Sequence, residues 1–252
     1  TGDADVNVRM DALRALARGE ALTAPVITAL VEMATGDADV GVRAMAMAAL
    51  AGGGALTGPA LTAAVEIATG DADVNVRMDA LRALARGEAL TAPVITALVE
   101  VATGDGDAGV RGEAVEVLAR GEALTPPVIT AAVEIAISDA KPSVRAQAVR
   151  VLRQAPPTKK IIEALVSLFA DKDQGLRRHA GRTLVELSRR HTTHASGIRS
   201  ALAAACTSPI DDDYSLNKQS GVDDAYDTLC RQMDEPVPVD PSVNLPPQRR
   251  AG

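Results

Sequence analysis

Residues 1–34 and 69–102 are the same sequence except that Met33 gives way to Val101. A chain that repeats itself at a fixed interval folds as a stack of similar units, each burying the same faces against its neighbours. The interval is 34 residues: Thr1, Thr35, Thr69 and Thr103 open four units in register, and Ile137 opens a fifth. A more divergent sixth begins near Asp171, with Leu176-Arg177 in the place of Val8-Arg9. The units so defined are 1–34, 35–68, 69–102, 103–136, 137–170 and 171–209. Composition agrees, because 47% of the chain is hydrophobic yet it holds one Phe, two Tyr and no Trp. Small aliphatic side chains suit many thin layers better than one large core.

Each unit reads as two helices. In the first, Asp5 is placed to cap the N-terminus, and Val6, Val8, Ala12, Leu13, Leu16 and Ala17 fall on one broad face at about 100° per residue. Asn7, Asp11, Arg14 and Arg18 fill the opposite face, and Gly19 stops the helix. Thr23 is placed to cap a second helix with Pro25 in its tolerated first turn. Val26, Ile27, Leu30, Val31 and Ala34 form the buried stripe of that helix, with Thr28 and Glu32 outward. One such unit buries too little to offset the entropy of ordering it, so interfaces between units must supply the difference.

Arg9 breaks the pattern by pointing into the middle of the apolar face. A lone buried guanidinium is costly, so a carboxylate partner is expected, and Asp3 lies in the turn leading into the helix. The spacing recurs as Asp3/Arg9, Asp37/Arg43, Asp71/Arg77, Asp105/Arg111, Asp139/Arg145 and Asp171/Arg177. These pairs would form a structural ladder of charge-assisted bonds knitting neighbouring units; a set of solvated surface ions copied by duplication is the alternative.

The Asp-x5-Arg spacing, the Val-Arg-x-x-Ala-x-x-x-Leu pattern of Val8, Arg9, Ala12 and Leu16, and the helix pair resemble HEAT repeats, especially the short bacterial HEAT-like type of phycobilin lyase relatives. Leu124-Thr125-Pro126-Pro127-Val128 followed by Val144-Arg145 also resembles the shorter leucine-rich variant repeat, the lesser alternative. The resemblance implies an all-α fold: a right-handed α-solenoid of about six 34-residue helix pairs. Ser220-Gly221-Val222-Asp223 has a capping-box spacing, so residues 210–233 read as an acidic turn and a C-terminal capping helix. Residues 234–252, with five prolines, read as a flexible tail. Thr1 begins at a repeat boundary without an initiator Met, so the chain reads as a fragment of a longer protein.

The resemblance also implies that second helices line an inner, concave surface. Thr28, Thr62, Thr96 and Thr130 would stack into one row there, with Glu32, Glu66, Glu100 and Glu134 beside them. Units five and six carry Ser167 and about Ala204 where the glutamate should be, so the row stops. Such a ridge suits a basic or amide-rich peptide; the alternative is a solubility surface kept by duplication. Unit two has Gly41, Met45, Ala48 and Gly52 where unit one has polar residues, which suggests a contact patch around Met45 and Ala48. The uncapped first unit is a second candidate for self-association.

Charge is uneven: residues 1–136 carry a net −10, residues 137–210 a net +8 and residues 211–252 a net −5. The basic segment, with Lys159, Lys160, Arg178, Arg182, Arg189 and Arg190, raises nucleic acid as an alternative partner, although stacking aromatics are absent. No catalytic constellation stands out. His191, His194 and Cys206 are a weak zinc pattern. Asp211-x-Asp213-x-Ser215-x-Asn217 lacks the Gly and Glu of a calcium loop, and Gly52-Gly53-Gly54 lacks the Lys of a phosphate loop. No metal, cofactor or catalytic residue is therefore expected. Two cysteines and no signal peptide or 18-residue apolar span point to a cytoplasmic chain without membrane contact.

The function expected is a non-catalytic protein- or peptide-binding scaffold. A ligand-sensing module is its specific form, because sensor arrays at the C-termini of bacterial signal-transducing ATPases show similar internal identity. A nucleic-acid-binding module using units five and six, and a lyase-like enzyme subunit, are the alternatives.

Overall fold

The computed structural model describes residues 3–17, 22–52, 56, 58–86, 90–120 and 124–207, with the side chains of Ala17 and of residues 205–207 excepted. The expected helix at 222–233, the acidic turn before it and the proline-rich tail lie outside the described residues. The described residues form twelve α-helices: α1 (Val6–Ala17), α2 (Ala24–Gly36), α3 (Val40–Gly52), α4 (Pro59–Gly70), α5 (Val74–Arg86), α6 (Ala92–Gly104), α7 (Ala108–Arg120), α8 (Pro126–Ser138), α9 (Pro142–Gln154), α10 (Lys159–Ser167), α11 (Gln174–Arg190) and α12 (Ala195–Thr207). Short 3-10 turns follow α10 at Leu168–Ala170 and α11 at Thr192–His194. The fold is all-α and solenoidal.

The helices lie in two layers. Odd-numbered helices stack α1 on α3 and so on to α11, and even-numbered helices stack from α2 to α12. Whereas α11 packs more on α9 than on α10, the most extensive contacts join α2, α4, α6 and α8 to the odd helix that follows each of them. The turn between them is short and held by its aspartates. After α2 the Asp37 N–H closes on Met33 O, the Asp37 carboxylate accepts the Asp39 N–H at 2.9 Å, and the Asp39 carboxylate accepts the Val42 N–H at 3.0 Å. The same bonds recur around Asp71 and Asp73 and around Asp105 and Asp107. One carboxylate makes the turn and the next caps the helix.

The core runs between the layers. Ala46, Ala80, Ala114, Ala148 and Ala180, one in each of units two to six, are fully buried in the odd-helix stack, where a methyl group lets helix axes approach to roughly 8–10 Å. Leu13, Leu50, Leu84, Leu118 and Leu152 fill the space toward the even helices, and the single Phe, Phe169, is buried at the end of α10.

Three local expectations change. Thr23, Thr91 and Thr125 sit at N-caps with extended backbone but make no capping bond. Proline at the second helical position removes one of the two N–H groups such a cap can accept; Thr158 does cap, accepting the N–H of the third helical residue, Ile161, at 3.3 Å. Val8, expected in the core, is 49% exposed, because no described unit stands before it. Met45 lies half-buried against the core, leaving Ala48 as the exposed part of the unit-two patch.

Candidate functional site

The ladder exists, but its carboxylates come from the next unit. Arg9 donates from Nε to Asp37 Oδ2 at 2.8 Å and from Nη2 to Asp37 Oδ1 at 2.9 Å, while its Nη1 donates to the backbone carbonyl of Asp3 at 2.8 Å. Arg43 grips Asp71, Arg77 grips Asp105 and Arg111 grips Asp139 in the same bidentate way, each across 28 residues. The Asp/Arg pairs expected six residues apart thus meet through the main-chain carbonyl of the aspartate, not its carboxylate. Each guanidinium sits between the turn of its own unit and the turn of the following one. The fifth rung is weaker. Arg145 reaches Asp171 through Nη2 alone at 2.8 Å, across 26 residues, and its buried Nε has no partner. In the sixth unit Arg177 donates to the carbonyls of Asp171 and Lys172 and is itself buried.

These rungs shift titration. Hydrogen bonds from Arg9, then the Asp39 N–H and the charges of Arg9 and Arg43, outweigh burial and hold the Asp37 carboxyl below the usual 3.8. Burial is the largest influence on Asp71 and Asp139 and acts upward, but the hydrogen bonds from Arg43 or Arg111, the N–H two residues on and the flanking arginine charges together leave both below 3.8. The paired side chains of the ladder are largely buried between units.

The open chemistry lies on the even helices. Thr28, Thr62, Thr96, Thr130, Glu32, Glu66, Glu100 and Glu134 are all exposed, and they occupy equivalent positions on the stacked helices α2, α4, α6 and α8. The hydroxyls of Thr28, Thr62 and Thr96 donate back to Ala24, Gly58 and Ala92 carbonyls, which leaves their oxygen lone pairs outward. Among the described residues no ion pair involves any of the four glutamates. Beside the last of them a cleft of about 270 Å³ is lined by Glu134, Ser138 and the Arg111–Asp139 rung. A wider opening of about 600 Å³, lined by Ile137, Pro142, Arg145 and Lys172, follows at the fifth rung.

The six basic candidates are exposed but do not form one patch. Lys159 and Lys160 open α10 in the even layer, and Lys159 is 3.7 Å from Glu163. Arg178, Arg182, Arg189 and Arg190 lie on α11 in the odd layer, where Arg190 donates to the Arg153 carbonyl at 2.8 Å. Sequence reading missed His179, half-buried on α11 near Arg150, Arg153 and Arg182. Burial first, then the charges of Arg153, Arg150 and Arg182, push its pKa below 6.5. His191 and His194 stack edge to face with centroids 6.4 Å apart. The Cys206 side chain and Cys230 lie outside the described residues, among which no group of three or more metal-ligating side chains occurs. No described helix is long and apolar enough to cross a membrane.

Residues 129–213 match the family model for HEAT repeats. That stretch is HEAT-like in sequence. The HEAT-like period and ladder run without a break from the first unit into that matched stretch. Among solved structures, the YibA protein of E. coli is similar over 91% of this chain and 78% of its own, at 19% identity and a TM-score of 0.58, a likeness of fold. A designed armadillo repeat protein in complex with the peptide (KR)4 is similar at 18% identity over 80% of this chain and 92% of its own, with a TM-score of 0.44. Human deoxyhypusine hydroxylase in complex with glycerol is similar at 17% identity over 91% and 82%, with a TM-score of 0.40. No curated protein sequence matches the chain.

Proposed function

We propose that this HEAT-like chain is a non-catalytic scaffold that binds an extended, basic segment of a protein along α2, α4, α6 and α8. The observation that supports this is the exposed, unpaired row Glu32, Glu66, Glu100 and Glu134 with threonine hydroxyls beside it. With helix axes roughly 10 Å apart, successive carboxylates meet every third residue of an extended chain that rises about 3.3 Å per residue. Recognition is then polar and spread over several units, which fits a surface without aromatic anchors. A ligand-sensing arm of a larger cytoplasmic switch protein, such as a signal-transducing ATPase, is the finer form of this reading; near-identical units supply repeated copies of one recognition surface.

Fluorescence anisotropy of a labelled decalysine peptide tests it. The doubly substituted chain Glu66→Lys, Glu100→Lys binds at least about tenfold more weakly while its helical circular dichroism is unchanged. Equal binding by both chains contradicts the assignment.

A second reading rests on the arginines around His179: a nucleic-acid contact on α9 and α11. It predicts low-salt retention of duplex DNA that is lost when Arg178 and Arg182 are changed to Glu. Retention that survives those changes, or none at all, removes it.

A further inference from the structure

Departures from the repeat converge on the opening of about 600 Å³ at the fifth rung. In units two, three and four the second aspartate of the turn caps the odd helix: Asp39, Asp73 and Asp107 accept the N–H of Val42, Val76 and Val110. Lys141 holds that position in unit five and makes no side-chain cap, so the first turn of α9 has no carboxylate to face. The ladder arginine is incomplete there as well. From Arg9 to Arg111 every Nε donates to an aspartate, but the Nε of Arg145 is buried with no acceptor among the described residues, on a side chain 11% exposed. Lys172 stands where Ala38, Ala72, Gly106 and Ala140 stand in earlier turns. Ile137, 50% exposed, stands where Thr35, Thr69 and Thr103 stand. The acids at the opening are already engaged: Asp171 accepts from Arg145 and from the Asp173 N–H, and Asp173 caps α11 by accepting the Leu176 N–H. Positive groups without a counter-charge thus adjoin an exposed aliphatic side chain.

We propose that this opening binds the carboxy-terminal end of a peptide whose last side chain is aliphatic. The carboxylate lies between Lys172, Arg145 and the first turn of α9, where a helix N-terminus favours negative charge, and the side chain covers Ile137 and Pro142. The carboxylate supplies the acceptor that Asp171 does not give the Nε of Arg145, and a buried donor left unpaired is costly. Ile137, Pro142 and Lys172 are all exposed, so a small acid stays largely in water there, unlike a ligand in an enclosed site. The end of a longer chain gains further contacts as it continues over the surface.

Backbone amide shifts of the full chain, titrated with N-acetylated Gly-Ser-Gly-Leu, test this. The peptide carries no lysine, so the outcome is independent of the glutamate row. Saturable shifts are expected at Ser143, Val144 and Arg145, and the carboxamide form of the same peptide binds at least about tenfold more weakly. Lys141→Asp, Lys172→Ala and Ile137→Thr each restore a residue that other units carry at the same position, so none lowers the urea midpoint. Each weakens the free-acid peptide by about threefold or more, Lys141→Asp the most because it caps α9. Equal binding of acid and carboxamide, variants that bind like the original chain, or the absence of saturable shifts overturns the proposal. So does 4-methylpentanoate binding as tightly as the peptide, which would assign the site to a free acid.

Discussion

Units one to four and units five and six follow the same plan, yet only the first group keeps it strictly. From Arg9 to Arg111 each rung spans 28 residues and ends in a bidentate grip. The next spans 26 residues and keeps one bond. The cause is local: α10 has nine residues where α8 has thirteen, and a 3-10 turn completes the distance. In a solenoid the unit length sets the geometry of every interface, so a small shortening is felt one rung away. The same boundary ends the glutamate row and reverses the charge. The array thus carries an acidic row on α2, α4, α6 and α8, followed by basic residues divided between α10 in one layer and α9 and α11 in the other.

The largest expected effect sharpens that difference in the ladder. Asp71→Asn leaves the Arg43 guanidinium, which is 15% exposed, without its carboxylate, and costs about 3 kcal/mol. Asp171→Asn removes a single charge-assisted bond and costs about 1.5 kcal/mol. Urea unfolding measures both, and equal losses break the comparison.

Much of this architecture was legible in the sequence, and the error in the ladder is instructive. Arg9 on the apolar face demanded an acid. In a chain with a 34-residue period, however, the aspartate six residues before an arginine and the one 28 residues after it are copies of each other. One-dimensional spacing cannot choose between them. The turn decides: Asp37 points its carboxylate back across the unit boundary because its own Oδ1 also holds the Asp39 N–H. Helix positions and the recurrence of the glutamates at one helical register were legible because periodicity encodes them directly; the exposure of Val40 and Val74, on the face expected to be buried, was not. The exposure of Val8 was not either, since Val8 and the buried Val76 sit in identical sequence and differ only in whether a described unit packs against them. Nor was His179, whose surroundings come from two helices distant in sequence.

Acid separates the two regions next. Asp37, Asp71 and Asp139 titrate below 3.8 in the fold, so their contribution is complete above pH 3.8 and is lost as pH falls through the folded values. His179 is held below 6.5; its unfolded form takes up a proton first, so stability falls as pH drops below 6.5. Hydrogen exchange followed from pH 7 to 5 therefore shows α9 and α11 loosening while α3 and α5 hold. His179→Gln removes that loss, and uniform loosening contradicts the assignment.

The smallest effect belongs to the glutamate row. Glu66→Lys with Glu100→Lys changes stability by less than about 0.5 kcal/mol, because both side chains are exposed and unpaired. A larger loss in urea unfolding would mark the row as structural and remove the basis for reading it as a binding surface.

The central claim, that arginines bind each unit to the next, is tested most directly by two double-mutant cycles on Arg43. Crossed with Asp71, one unit ahead, Arg43→Met and Asp71→Asn should show a coupling of about 2 kcal/mol. Crossed with Asp37, which offers Arg43 only a backbone carbonyl at 2.9 Å, the coupling should fall below about 0.5 kcal/mol. A cycle in which Asp37 couples to Arg43 as strongly as Asp71, or in which neither couples, would contradict the account.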